Sequence, residues 1–279
     1  MQHHFRAFSF VDRITRIEAD GQVHGHYQIP AGIDAFPSSL ASEALGQLAA
    51  WAAMEQVDFS HRPLAGIAGQ VELLSTPQPG QLLDLEVHLE SVDADSVVYS
   101  GLASANGQPV VRLSDCVGPM LPVEDFDNPT DVRQRFQLIR QQGAQPGAFH
   151  GLPAILPQPE PFTPNQPLHA TLEVPPASSP FFADHFPRNP VFPGTLLVHA
   201  NLQLAQHLAN QLTPPHNQSA WHIQTISGVK LRSFTSPGTQ LQLEATNTTL
   251  SPNSLTLQIT TRNQRRTVCA ATVEFTPHE

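Results

Sequence analysis

An α+β chain built from two tandem copies of one unit, each an antiparallel sheet with a single long helix, is predicted by three observations. The sequence repeats itself, each copy places one helix ahead of a series of alternating strands, and both helices are apolar nearly all round. Residues 29–47 and 185–203 align without gaps at an offset of 156, sharing Phe36/Phe192, Pro37/Pro193, Leu40/Leu196, Ala44/Ala200 and Gln47/Gln203. At an offset of 158, residues 71–87 and 229–245 agree at eight of 17 positions, in unbroken order.

The elements follow in turn. Strand-like runs at 8–17 and 21–29 open copy one, and 169–174 opens copy two. Helices are expected over 39–54 and 195–212. Pro37 and Pro193 stand just before them, Ser38, Ser39 and Thr195 are candidate caps for the free first-turn amides, and Pro214-Pro215 stops the second. Period-2 stretches then fall at 66–74, 83–91, 97–105 and 109–117, and again at 223–232, 240–248, 254–261 and 266–275. Pro79-Gly80 and Pro237-Gly238 mark the same turn twice. The resulting division is a first repeat at 1–121, a connector at 122–167 and a second repeat at 168–279. The connector is rich in Pro, Gln and Gly, and is expected to run over the surface with one helical patch at 131–142.

At 279 residues and 40% hydrophobic, the chain is long enough for about two cored domains and is not disordered. The net charge is −11 over 1–167 and +1 over 168–279, so a general nucleic-acid or anionic-membrane binder is not expected. An acidic partner would dock on the second half. No apolar run reaches the roughly 18 residues of a membrane span, and no signal-like start is read at 1–6. Cys116 and Cys269 lie in strand-like runs and are expected to stay reduced, which makes a cytoplasmic setting the expectation.

The segment His185-Phe186-Pro187-Arg188-Asn189-Pro190-Val191-Phe192-Pro193-Gly194-Thr195-Leu196 carries the chemistry. It resembles the H-F-P-x-x-P-x-x-P-G signature of the 3-hydroxyacyl-acyl-carrier-protein dehydratases of the FabA/FabZ type. Pro180-Phe181-Phe182, Ala200 and Gln203 suit that family too, and the opening Phe8-Ser9-Phe10-Val11-Asp12-Arg13 is similar to its first strand. The resemblance implies a double hotdog, two sheets each wrapped around one long helix. It also implies a lyase that forms 2-enoyl thioesters in fatty-acid or related lipid biosynthesis, from substrates carried on acyl carrier protein. The family needs neither metal nor redox cofactor.

Each half departs from the family pattern. The family places an acidic residue fourteen positions after its histidine, where this chain has His199; copy one keeps Glu43 in the acidic place and Gln47 in that of the family's glutamine, but has Ile29 in place of the histidine. In family dimers the histidine and the carboxylate come from opposite subunits. If the halves pack as such a dimer, His185 meets Glu43, while Ile29 faces His199 and makes a lapsed second pocket. One site per chain is therefore expected, within a pseudo-dimer that could assemble further.

The expected roles follow from the reaction. His185 is the base, Glu43 in apolar surroundings is the acid or water-orienter, and the Gly194 amide supports charge on the thioester oxygen. Gln47 would bond Glu43 or substrate, Phe186 and Pro193 would line the pocket, and Arg188 would hold a phosphate or the acidic carrier. Bland readings stand beside these: a structural loop histidine, a solvated glutamate, solvated arginines. His199 and His207 alone do not make a zinc site. Two other functions remain open, a hotdog acyl-CoA thioesterase with Glu43 activating water, and an inactive acyl-binding protein.

Overall fold

The computed structural model describes residues 7–145, 149–152, 154–212 and 220–277. Pro214-Pro215, read as the stop of the second helix, lies outside the described residues. In chain order the elements are β1 (Arg13–Ile17), β2 (Gln22–Gln28), α1 (Ser38–Gln56), β3 (His61–Pro63), β4 (Ile67–Leu73), β5 (Leu82–Val92), β6 (Ser96–Ala105) and β7 (Gln108–Pro122). Then come α2 (Pro129–Gln141), β8 (Gln158–Pro159), β9 (Leu168–Glu173), α3 (Gly194–Leu212), β10 (Trp221–Leu231), β11 (Gln240–Ser251), β12 (Ser254–Asn263) and β13 (Arg266–Pro277).

The strands form one antiparallel sheet in the order β1-β2-β5-β6-β7-β4-β10-β13-β12-β11-β9-β8, with β3 paired to β7. Its midpoint is the β4–β10 ladder, where Ile67 opposes Lys230 and Glu72 opposes Thr225. The two halves thus meet edge to edge, as two hotdog subunits would, and neither exposes that edge. Each half wraps one helix, which gives the double hotdog.

Alternation in the strands sets their inward faces. In β5, Leu83, Leu85, Val87 and Leu89 are buried while Leu82, Asp84 and Glu86 are exposed. Pro79-Gly80 and Pro237-Gly238 form equivalent turns, with glycine φ of +83° and +73°, a conformation that side chains resist. In α1, Leu40, Leu45 and Leu48 are fully buried, each worth roughly 1.5–3 kcal/mol.

Two expectations are corrected. The hydroxyls at the helix starts do not cap them. The residue preceding α1 is Pro37, without a side-chain cap; Ser38 bonds the Ser75 carbonyl, and Ser39 and Thr195 reach across to side chains of the opposite helix. Nor does the connector merely cross the surface. Val123, Phe126, Val132, Phe136, Ile139, Phe149 and Ile155 are all buried: α2 carries an apolar stripe that packs Phe136 against Trp51 and Phe59, Phe149 packs against Phe10 and Phe36, and Phe126 against Phe186. Two short strands, β3 and β8, also escaped the sequence reading.

Candidate active site

The N-terminal stretch of α1 supplies Glu43 and Gln47 one helical turn apart. Gln47 donates from Nε2 to Glu43 Oε1 at 2.9 Å and to the Phe8 carbonyl at 3.1 Å, while its Oε1 accepts from the Phe10 amide at 2.8 Å. All of its amide group is thereby tied to this chain, and its partner is Glu43. The other carboxylate oxygen, Oε2, accepts from the Thr195 hydroxyl at 2.6 Å. Thr195 follows Gly194 in the first turn of α3, so the carboxylate of one half is anchored on the helix start of the other.

His185 enters from the loop before α3. Its Nδ1 lies 2.8 Å from the Val191 carbonyl, which can only accept, so Nδ1 carries the proton and Nε2 the lone pair. The imidazole packs edge-on to Phe8 and Phe186, at 5.4 and 4.2 Å between ring centres. Phe8 links the two halves of the site: its carbonyl is bound by Gln47, its ring by His185, and its amide by Asp184 at 2.9 Å.

A cavity of about 250 Å³ runs between the halves, lined by Glu43 and Gln47 from copy one and by His185, Phe186, Gly194 and Thr195 from copy two. Its further walls are mostly apolar, Trp51, Met54, Leu64, Val132, Leu202 and Ile226 among them, with Arg62, Asp127, Arg135 and Asp184 also in the lining. Withdrawal from water is the largest influence on both ionisable groups. It raises the Glu43 carboxyl above its ordinary value, against the pull of the Thr195 and Gln47 hydrogen bonds. It lowers His185 to about 3; the Val191 bond opposes this and the Arg62 guanidinium adds to it. The arrangement is an imidazole that burial keeps neutral and a carboxyl whose proton affinity burial raises, both lining one cavity.

Of the residues singled out from sequence, Pro193 and Arg188 lie outside the cavity lining. Pro193 instead accepts from the Leu196 and Leu197 amides, and Arg188 Nη1 donates to the Glu124 carbonyl at 3.0 Å. Ile29 is fully buried, and Phe36, the counterpart of Phe192, is packed among Phe10, Tyr27 and Phe149. His199 bonds Ser39 Oγ at 3.1 Å and Gln203 at 3.3 Å, and burial lowers its pKa.

Thr195 was read as a cap, though its alignment with Ser39, opposite His199, was the signal for a partner. Tyr99, whose hydroxyl bonds the Cys116 thiol in the cavity wall, left no signal. Among the described residues no group of three or more His, Cys, Asp or Glu could hold a metal, and no helix is long and apolar enough to cross a membrane.

Fold and site define the class: a double-hotdog chain with a pocket lined by residues of both halves. Residues 162–272 match the family described as ApeI-like, ApeI dehydratase. The chain is 35% identical over 85 residues to the 3-hydroxyacyl-[acyl-carrier-protein] dehydratase FabZ of Shewanella loihica, covering 30% of this chain and 55% of that protein. It is 40% identical over 68 residues to FabZ of Gluconacetobacter diazotrophicus, covering 24% and 42%. The chain spans about half the length of the curated relatives it matches. Two solved structures share its fold from end to end. The dehydratase domain of PpsC from Mycobacterium tuberculosis, in complex with C12:1-CoA, has TM-score 0.55 and 13% identity over 98% of this chain and 100% of that one. The 12:0-ACP thioesterase from Umbellularia californica has TM-score 0.54 and 10% identity over 92% and 94%.

Proposed function

We propose that this chain is a hydro-lyase that converts 3-hydroxyacyl thioesters into 2-enoyl thioesters, with one active site per chain and substrate delivered on acyl carrier protein. The observation that supports the reading is that His185 and Glu43, from opposite halves, line the same cavity. The FabZ relatives and the ApeI-like match in the second half support the same chemistry.

In this reading His185 Nε2 takes the proton from C2, the C2–H electron pair forms the C2=C3 bond, and the C3–O bond breaks. Glu43, protonated because it is buried, gives its proton to the departing hydroxyl, which leaves as water. The Gly194 amide, among the first-turn N–H groups of α3 that lack helical partners, faces the thioester oxygen as charge develops on it. An imidazole of such low proton affinity does not store the proton. It returns it to the Glu43 carboxylate, which resets both groups.

The experiment offers the full chain a 3-hydroxyacyl thioester and follows two products. Conjugated enoyl thioester without free thiol is the expected outcome. Free thiol without enoyl product would replace the reading with a thioesterase, and neither product would leave an acyl-binding protein.

A further inference from the structure

We propose that Arg62 is a positioning residue for His185: anchored on Asp127, its guanidinium clamps Phe186 against Phe126 and so fixes the orientation of the imidazole one residue earlier. This rests on the reading of His185 as the base.

Phe186 has φ +60°, a left-handed conformation that a bulky residue holds only when its surroundings impose it. The surroundings are specific. The Arg62 guanidinium lies 4.3 Å from the Phe186 ring centre, the Phe126 ring lies 5.1 Å away, and the His185 ring 4.2 Å. Arg62, with 16% of its side chain exposed, pairs with the buried Asp127 at 3.8 Å, which Arg135 also binds at 3.2 Å. Backbone contacts complete the grip: the Arg188 amide donates to the Phe126 carbonyl at 3.1 Å and the Asn189 amide to that of Phe186 at 3.0 Å. Phe126, Asp127 and Arg135 all belong to the segment joining the two halves, so that segment helps to hold the loop of the base. The charged or titratable groups that share the cavity with the imidazole are Arg62 from β3, Glu43 from α1, Asp127 and Arg135 from the connecting segment, Tyr99 from β6, Cys116 from β7 and the neighbouring Asp184, and of these Arg62 acts on it directly.

The test measures kcat and KM of Arg62→Met, Arg62→Lys and Phe126→Leu, with NMR of the His185 ring in each. Arg62→Met should lower kcat by about tenfold or more while KM stays within about twofold, since a misplaced base costs rate rather than binding. Its His185 titration should move upward and the His185–Phe186 proximity signal should weaken. Arg62→Lys should keep the titration near that of the parent but still lose rate. Phe126→Leu, which leaves every charge in place, should lose rate as well. A raised KM with kcat intact would overturn the proposal, as would an unchanged kcat. If the parent turns over no 3-hydroxyacyl thioester, the function proposed above fails on its own. The NMR arm then decides, and an unmoved ring in Arg62→Met overturns the positioning role.

Discussion

Thr195 donates its hydroxyl to Glu43 Oε2 at 2.6 Å across 152 positions of chain. The same relationship recurs in the other pseudo-equivalent pair, Ser39 and His199, at 3.1 Å. A hydroxyl on each helix start therefore anchors the fifth residue of the opposite helix, counting from its own equivalent. The duplication kept this crossing contact in both copies and kept a carboxyl in only one.

Loss of the anchor and loss of the acid should differ in scale. Glu43→Gln should lower kcat by about 10²–10⁴-fold, the range for removing a positioned acid or base. Thr195→Val keeps the shape but frees one carboxylate oxygen, and should cost about tenfold in kcat and about 1 kcal/mol of stability. Equal losses in steady-state assays would mean that Thr195 itself meets the reacting atoms.

The rate profile should reflect both buried groups. His185, lowered to about 3, keeps its lone pair throughout the neutral range, so the acid limb of kcat/KM should fall well below the ordinary histidine value of 6.5. Glu43 must hold its proton, so the alkaline limb should sit above the ordinary carboxyl range. Arg62→Met should move the acid limb upward, because a positive charge beside the imidazole has gone. An acid limb near 6.5 in the parent would contradict this arrangement.

The second pocket should be silent. His199 is held by Ser39 and Gln203 and does not line the cavity that holds His185 and Glu43, and Phe36 is packed between Phe10 and Phe149. His199→Ala should leave kcat/KM within about twofold, while the trimmed ring costs roughly 1–2 kcal/mol in denaturant unfolding. A large loss of rate at unchanged stability would restore a role for this half.

Much of this was legible because it is written twice. The repeat, the period-2 strands and the Pro-Gly turns are local patterns, and the expectation of a composite site followed from the family resemblance, with Ile29 and His199 standing where that family has its histidine and its acid. The path of 122–167 was not legible. Its Pro and Gln content reads as a surface linker, while what buries Phe126, Phe136 and Phe149 is the tertiary groove they fill. Arg62 was hidden likewise: one arginine in a three-residue strand has no periodicity, and its meaning lies in Phe186, 124 positions away.

At Gly194 a Cβ would meet the Cδ1 end of the Leu231 side chain, which would have to turn aside, and would lie 3.4 Å from the Ala65 Cβ, so α3 starts close against the β4–β10 joint. Gly194→Ala should destabilise by about 1–3 kcal/mol through overpacking. It should also lower kcat by displacing the amide proposed to face the thioester oxygen. Restoring space with Leu231→Val should recover stability in the double variant, and failure to do so would point to backbone strain instead.

Asp12 makes the sign of a pH effect on stability testable away from the site. It is 8% exposed, accepts the Gln28 amide at 2.7 Å, and burial raises its pKa from 3.8 to about 6. Between those values the native state holds a proton that the unfolded chain has released, so this residue's contribution falls as pH rises through the window. Full ionisation then costs on the order of 3 kcal/mol. His185 acts oppositely: below 6.5 the unfolded chain binds a proton that the native state refuses until about 3, so acid weakens the fold through it. The parent therefore sums opposed slopes from these and other shifted groups, and Asp12→Asn, which keeps an acceptor for Gln28, removes that of Asp12 alone. Relative to the parent, its urea midpoint should rise more at pH 7.5 than at pH 4.5, by roughly the equivalent of 1–3 kcal/mol. A difference independent of pH would show that Asp12 is ionised throughout and that its burial is compensated by a partner other than the Gln28 amide.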